Sequence, residues 1–209
     1  GDYGKYMPTA AAALWYLFTG YDIQPSKFLD GTWNIPESGN GIPDLLDEAK
    51  WELDWITRIQ AQDGGIYHKL TSEVWFHGMP QDESSPRQIF DKTTHDTASA
   101  AAVLASASRI WKNFDLKLSQ NYLERAQRAW SFLEKHPQPI PEGGFRNSPK
   151  NTTGEYRDRI DIDNRLWAAA ELYRATGEKK YKDFFDSWWS ENKSRSEEHT
   201  SELQSPNTI

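Results

Sequence analysis

Alanine-rich and charged helical segments alternate along this chain, and few folds accommodate such an alternation. The alanine-rich segments carry small apolar residues around much of their circumference, which is typical of helices buried on several sides. The other segments are amphipathic and have one solvent-facing side. The predicted alanine-rich helices are Pro8–Thr19, Thr94–Lys112 and Asp163–Thr176, and the predicted amphipathic helices are Pro43–Gln60, Ser119–Lys135 and Lys179–Ser190.

Paired buried and solvent-facing helices are typical of a toroid built from helical hairpins. We therefore predict an all-α fold of the (α/α)6 six-hairpin type. Such a ring needs twelve helices, and the chain carries six predicted ones, so about half of a ring is expected. The segments share too little identity to be treated as sequence repeats.

Capping residues predict where several of these helices begin and end. Gly20 and Gly177 are placed to end the first and fifth helices. Pro43 lies near the first turn of the second helix, where proline is favoured. Ser119 is the predicted N-cap of the fourth helix.

Three long loops rich in Gly and Pro separate the helices, at Tyr21–Ile42, Gln62–Lys92 and Pro137–Ile162. Loops of this length exceed what a simple connection needs and usually carry function. On one face of a helical toroid they would build a cleft for a ligand.

Composition disfavours several classes of function. The net charge of -7 argues against nucleic acid or an anionic membrane as partner, because both require clustered Lys and Arg. No apolar run approaches the 18 residues or so of a membrane-spanning helix. The absence of cysteine excludes a disulfide framework and a thiolate metal site. The first residues show no signal-peptide pattern.

The C-terminal string from Arg195 to Ser205 reads as a translated sequencing adapter. It has no apolar stripe that a core could use. We interpret 194–209 as an artefactual, disordered tail and exclude it from the fold prediction.

Few residues suggest chemistry by their local pattern alone. Asp2, next to Gly1 and just before an alanine-rich helix, suits a general base on a tight turn, with an N-cap role as the alternative. His68 lies in a Gly-preceded loop, where the alternative to a functional role is a backbone-bonded histidine. Tyr156, in the third long loop, suits either stacking on a sugar or loop packing.

Other polar and aromatic residues have plain structural interpretations. The first three acids charge or cap the start of a helix, and the other acids and the histidines show no metal-ligand pattern. Six helical tryptophans are predicted to pack in the core. Three loop aromatics suit either sugar platforms or core packing. The acids are Asp44, Asp47, Glu48, Asp158, Asp161 and Asp163; the histidines are His77, His95 and His136; the helical tryptophans are Trp15, Trp51, Trp55, Trp111, Trp130 and Trp167; the loop aromatics are Trp33, Trp75 and Phe76.

Four stretches together resemble the catalytic domain of glycoside hydrolase family 9, a family of cellulase-type enzymes. They are GDYGKY at the N-terminus, NIPESGNGIPDLLDEAKWELDW from Asn34 to Trp55, GGIYHKL from Gly64 to Leu70, and DNRLWAAAELYRATGEKKY from Asp163 to Tyr181. The Asn34–Trp55 stretch is the most specific, and Asn164 stands where the family usually has Glu. The resemblance identifies 1–193 as part of one such domain, an N-terminal-half fragment.

The resemblance implies hydrolysis of β-1,4-glucan with inversion, in which one carboxylate activates water and a protonated carboxyl serves the leaving oxygen. It assigns Asp2 as the base, His68 as a contact of the sugar beside the scissile bond, and Tyr156 as a residue of the cleft. The family's general-acid Glu has no counterpart in 1–193. We therefore expect the isolated chain to be inactive and to be a poorly stable half-ring.

The resemblance also bears on cofactors, partners and location. No cofactor is expected for the chemistry; some relatives hold structural calcium, whose ligands are not assignable in this chain. The expected partner is a β-glucan polysaccharide or oligosaccharide, with neither nucleic acid nor membrane involved. The parent protein is expected to carry a preceding immunoglobulin-like domain and to be extracellular or periplasmic.

Several functions remain open beside the endo-β-1,4-glucanase. One is an exo-acting enzyme of the same family on cello- or chito-oligosaccharides. Another is a non-catalytic carbohydrate-binding protein on the same helical ring. A third is a different six-hairpin enzyme, such as an epimerase or an unsaturated-uronyl hydrolase, against which the Asn34–Trp55 stretch argues.

Overall fold

Six α-helices make up most of the chain in the computed structural model, which describes residues 3–202 and, for side chains, residues 3–190. This confirms the predicted all-α class. The helices are α1 (Met7–Ile23), α2 (Asp44–Arg58), α3 (Thr94–Trp111), α4 (Leu116–Lys135), α5 (Ile162–Thr176) and α6 (Lys179–Glu202).

The helices pack as three hairpins, which gives the inner and outer layers that the sequence predicts. The helix pairs α1–α2, α3–α4 and α5–α6 are in contact, and the alanine-rich helices α1, α3 and α5 pack side by side. Every residue of α3 except Arg109 is buried, because small side chains let neighbouring helices approach on all sides. None of the helices in the described part of the chain is long and apolar enough to cross a bilayer.

Five short strands tie the long loops to the helices. They are β1 (Lys5–Tyr6), β2 (Ile66–Tyr67), β3 (Lys69–Thr71), β4 (Gln88–Ile89) and β5 (Lys92–Thr93). One antiparallel sheet has the order β1-β3-β4 and the other pairs β2 with β5. The register places Tyr6 opposite Lys69, and the Met7 amide donates to the His68 carbonyl at 3.0 Å. The segment that follows Asp2 is thereby fixed beside the segment that carries His68.

The predicted glycine ends of two helices have different outcomes. Gly177 ends α5 in the left-handed conformation, with φ of 73°, as predicted. The predicted end of α1 at Gly20 is wrong, since α1 continues to Ile23. The Gly20 carbonyl instead accepts a hydrogen bond from the amide of the capping residue Gln24.

The predicted N-cap of α4 is also wrong. Asp115, four residues earlier than Ser119, caps the helix, and its carboxylate accepts from the Leu118 amide at 2.9 Å. Ser119 is buried, and its hydroxyl donates to the Ser108 carbonyl at 2.6 Å. It therefore joins α4 to α3.

The six tryptophans predicted for the core have different outcomes. Trp167 is half-buried and packs against the core. Trp55, Trp111 and Trp130 are buried, as expected. Trp15 and Trp51 are 45% and 65% exposed, so their prediction as core residues is wrong.

The interpretation of 194–209 as an artefactual tail stays a prediction. Helix α6 continues through this region to Glu202, and residues 203–209 lie outside the described part of the chain.

Asp44 organises the long loop that precedes α2. Its buried carboxylate accepts from the backbone amides of Gly31, Thr32 and Trp33 at 3.1, 2.7 and 2.6 Å, and from two hydroxyl groups. Burial alone would raise the pKa of Asp44, but these donors outweigh it and hold the pKa below the ordinary carboxyl value. The highly specific Asn34–Trp55 stretch thus contains the acid that shapes its own loop.

Replacing Asp44 by Asn should loosen this loop. The free energy of unfolding of the variant should then fall less steeply as the pH is lowered into the acid range. The folded pKa is depressed, so the stabilising contribution is complete above about pH 4 and is lost as the pH falls through the folded pKa. Asp54→Asn on the same helix is the control, since its partly exposed pair with Lys50 contributes little. Denaturant unfolding between pH 2 and 7 measures the effect, and equal acid limbs for both variants would contradict it.

Candidate active site

A cavity of about 610 Å³ opens at the N-terminal halves of the three inner helices, and the loop after α4 closes one side of it. Two of the three long loops, 62–92 and 137–162, precede α3 and α5 and so lie at this end of the inner helices, whereas the loop 21–42 follows α1 and lies at the other end. The lining residues are Pro8, Ala11, Ala12 and Trp15 of α1, His95 and Ser99 of α3, Asn164 and Trp167 of α5, and Tyr156, Arg157 and Asp158 of the loop.

Three aromatic side chains give this cavity surfaces of the kind that stack on a pyranose ring. Tyr156 is 47% exposed, Trp15 is 45% exposed and Trp167 is half-buried. Polar groups stand between them, and the Asn164 amide bonds the Ser99 hydroxyl at 3.0 Å. Apolar faces with a few polar groups are typical of small-molecule sites. Sequence reasoning assigned both tryptophans to the core and did not assign them to this wall.

Tyr156 has an unusual backbone conformation. Its φ is 44°, which is costly for a bulky residue, and among the described residues it is the one non-glycine residue with positive φ. Its ring contacts the ring of Tyr6 edge-on, with centroids 4.9 Å apart. A Cβ atom on Gly154 would lie 2.5 Å from the Tyr156 ring, so glycine is needed there for this ring position. Strain held by its surroundings is common at functional sites.

His68 lies directly behind the segment that carries Tyr156. It is fully buried, its Nδ1 is 2.6 Å from Asp96 Oδ2, and its Nε2 donates to the Glu155 carbonyl at 2.8 Å. Its ring stacks on Phe145 with centroids 4.1 Å apart. The structure thus places Tyr156 at the cavity and His68 behind it. Contact between His68 and a sugar stays a prediction.

Lys69 binds the same loop at Gly154, one residue before the Glu155 carbonyl that His68 binds. Its buried Nζ donates to the Gly154 carbonyl and to Asn147 Oδ1, both at 2.7 Å, and to Thr153 Oγ1 at 3.1 Å. Burial lowers the pKa of Lys69 to about 8, although the Glu155 carboxylate acts in the opposite direction. His68 and Lys69 together therefore bind two successive carbonyl groups of the loop.

Asp96 and His95 extend this polar cluster to the cavity. Burial would raise the pKa of Asp96, but its bonds to His68 and His95 outweigh burial and keep the carboxyl ionised. Burial would lower the pKa of His95, yet Asp96, with smaller contributions from Asp158 and Asp161, raises it. Sequence reasoning gave His95 only a packing or solvent role and did not single out Asp96. The sequence did carry a signal for Asp96, because it lies three residues after Thr93. Thr93 caps α3, and its hydroxyl oxygen accepts from the Asp96 amide.

His68, His95 and Asp96 have the residue types of a metal site, with one ligand atom from each lying within 4.8 Å of the others. The 2.6 Å between His68 Nδ1 and Asp96 Oδ2 is a hydrogen-bond distance. Two ligands of one tetrahedral zinc ion stand about 3.3 Å apart. The present geometry is therefore that of a hydrogen-bonded cluster. Within the part of the chain whose side chains are described, Asp158, Asp161 and Asp163 form no comparable group.

The remaining sequence candidates lie elsewhere. Asp2 is outside the described residues, so its assignment as the base stays a prediction. The loop aromatics Trp33 and Trp75 are 43% and 41% exposed but do not line the cavity. A second cavity of about 550 Å³, between α4, α6 and the loop that follows α4, contains none of the predicted site residues.

Comparisons with known proteins identify relatives of this chain. The family model described as glycosyl hydrolase family 9 matches residues 1–207. A cellulose 1,4-beta-cellobiosidase of Acetivibrio thermocellus is 33% identical over 88% of this chain and 22% of its own length. The xyloglucan-specific endo-beta-1,4-glucanase BoGH9A of Bacteroides ovatus is 35% identical over 88% of this chain and 32% of its own.

Solved structures give the same relationship. The crystal structure of a metagenome-derived glycoside hydrolase family 9 endoglucanase matches with a TM-score of 0.86 and 40% identity. That match covers 92% of this chain and 34% of the other. The chain thus spans between a fifth and a third of the length of the relatives described here.

Proposed function

Because this chain belongs to glycosyl hydrolase family 9, we propose that it forms part of an inverting endo-β-1,4-glucanase. The observation that carries the proposal is the aromatic-walled cavity formed by Trp15, Tyr156 and Trp167. It lies at the end of the inner helices where β1, which follows Asp2, pairs with the His68–Lys69 segment. The substrate class follows from the named relatives, which include two endoglucanases and a cellobiosidase.

In the proposed reaction, Asp2 takes a proton from a water molecule that attacks the anomeric carbon from the face opposite the leaving sugar. A second carboxyl group protonates the leaving oxygen, and inverting enzymes hold the two carboxyl groups roughly 6.5–9.5 Å apart so that the water fits. None of the described residues is assigned to that second role. Tyr156 and the two tryptophans supply stacking surfaces that orient the glucan chain.

His68 has two proposed roles in this scheme. The family resemblance suggests direct contact with the sugar beside the scissile bond. The described hydrogen bonds favour support from behind, because both ring nitrogens already bind protein oxygens.

The location of the protein follows from the proposed substrate. Since a polymeric β-glucan does not enter cells, we also propose an extracellular or periplasmic location.

Exo-action is the second candidate, favoured by the cellobiosidase relative. The length of the first soluble products distinguishes the two. Endo-cleavage of a soluble glucan gives a rapid fall in viscosity with few new reducing ends. Exo-cleavage releases short oligosaccharides while viscosity stays high.

Replacing Tyr156 by Ala should weaken binding of cellotetraose by about five- to tenfold, because one stacking surface worth roughly 1 kcal/mol is lost. Calorimetric titration of the purified chain measures the change. Tyr173→Ala is the matched control, since Tyr173 is 39% exposed on α5 and lies outside the cavity. Equal binding by the two variants would remove Tyr156 from the substrate site, and no binding by the longest natural protein that carries this chain would count against the proposed function.

A further inference from the structure

We propose that Asp96 is a positioning residue that acts through His68 and the Glu155 carbonyl to hold Tyr156 at the cavity. The consequence for sugar binding rests on the proposed function above. The mechanical part, a chain of hydrogen bonds that ends at a strained backbone, rests on geometry alone.

The first step concerns the protons on His68. A backbone carbonyl only accepts hydrogen bonds, so His68 Nε2, 2.8 Å from the Glu155 oxygen, carries a proton. An ionised carboxylate also only accepts, so Nδ1, 2.6 Å from Asp96 Oδ2, carries one as well. The two hydrogen bonds together call for a proton on each ring nitrogen of His68, next to a carboxylate in a buried pair. Asp96 makes this state favourable and fixes the plane of the ring.

The second step concerns the part of the loop that the His68 ring holds. The Glu155 carbonyl belongs to the peptide plane that joins Glu155 to Tyr156, and this plane forms one side of the φ torsion of Tyr156. The preceding peptide plane is held by Lys69, which donates to the Gly154 carbonyl at 2.7 Å. Two donors on adjacent residues, His68 and Lys69, thus fix two consecutive peptide planes. The φ of 44° at Tyr156 is unfavourable for a tyrosine and requires support of this kind.

The third step concerns the surroundings of His68. Asp96 also accepts from the Thr93 hydroxyl at 2.6 Å, and His95 Nε2 lies 3.1 Å from its second oxygen. Phe145 covers one face of the His68 ring. Both oxygens of the buried Asp96 carboxylate thus have partners, which hold its orientation. Since Asp96 is fully buried and does not line the cavity, it acts on the site only through its neighbours.

The protonation of His68 can be measured on the unmodified chain. Nuclear magnetic resonance of the 15N-histidine-labelled chain at pH 7 to 8 should show a directly bonded proton on both His68 nitrogens. In Asp96→Asn only the Nε2 proton should remain, because the anionic partner of Nδ1 is gone. A single proton on His68 in the unmodified chain would overturn the proposal, and this measurement needs no variant to fold.

The effect on Tyr156 is tested by a double-mutant cycle of sugar binding. Asp96→Asn alone should weaken cellotetraose binding about fivefold or more, and should add almost nothing to Tyr156→Ala, because both changes remove the same contact. Asp115→Asn is the control, since Asp115 lies at the start of α4 much as Asp96 lies in the first turn of α3, and its carboxylate bonds the Leu118 amide. Unchanged affinity in Asp96→Asn, or additive losses in the double variant, would overturn the proposal.

Failure of the proposed function has a different signature. If the longest natural protein that carries this chain binds no cello-oligosaccharide, the glucanase proposal fails, while the two His68 protons still report on the chain of hydrogen bonds. In that case the Tyr156 ring signals decide the remaining step. They should shift in Asp96→Asn and stay unchanged in Asp115→Asn, and unshifted signals would contradict a link from Asp96 to Tyr156.

Discussion

Replacing Asp2 by Asn should lower kcat for a soluble β-1,4-glucan by about 10²- to 10⁴-fold, the range that a positioned general base contributes. An amide cannot accept the proton from the attacking water, but it keeps the size of the side chain. Substrate binding should therefore be nearly unchanged, so that kcat falls and KM does not rise. The measurement belongs in the longest natural protein that carries this chain, because the chain covers only 22% to 34% of the length of these relatives.

The control for this prediction is Asp186→Asn, which changes an exposed acid on α6 that pairs with Lys182. It should leave kcat unaltered. The anomeric form of the first product adds an independent check, since inversion of a β-linkage gives the α-anomer. Retained activity in Asp2→Asn, or a β-anomer as first product, would contradict the assignment of Asp2 as the base.

The helices could be predicted from the sequence because apolar periodicity is a local property. The starts of α3 and α6 agree with prediction to the residue, and the start of α5 agrees within one. The start of α4 was missed because Asp115 and Ser119 are both good N-cap residues, and local pattern does not rank them. Only the packing of α4 against α3 shows that the Ser119 hydroxyl is needed for the Ser108 carbonyl.

The candidate site was predictable only where family resemblance reached. His68 and Tyr156 follow from motifs, but Asp96 is 28 residues from His68 in sequence, and its role appears only when α3 brings it behind that ring. The positive φ of Tyr156 has no sequence signal, because nothing in a tyrosine favours it. Trp15 was misassigned for a related reason. An aromatic residue on an alanine-rich helix indicates packing, whereas the cavity opens on that face.

Replacing Gly64 by Ala should destabilise the fold by more than about 2 kcal/mol, because two separate costs combine. The φ of Gly64 is 96°, which an L side chain rarely adopts. A Cβ atom there would also lie 2.2 Å from the Arg128 carbonyl oxygen, so the backbone of α4 would have to move. The loop that leads into β2 and His68 can approach α4 this closely only without a side chain.

Gly39→Ala separates the two costs, since Gly39 has a φ of 93° but its added methyl group would meet nothing within 4 Å beyond the adjoining residues. Its loss of stability measures the backbone conformation alone, and the additional loss in Gly64→Ala measures the contact with α4. Urea unfolding followed by tryptophan fluorescence gives both values. Because Gly64 sets the distance between β2 and α4, the larger loss should be accompanied by weaker cellotetraose binding, and equal losses in both variants would show that the contact with α4 does not restrain the loop.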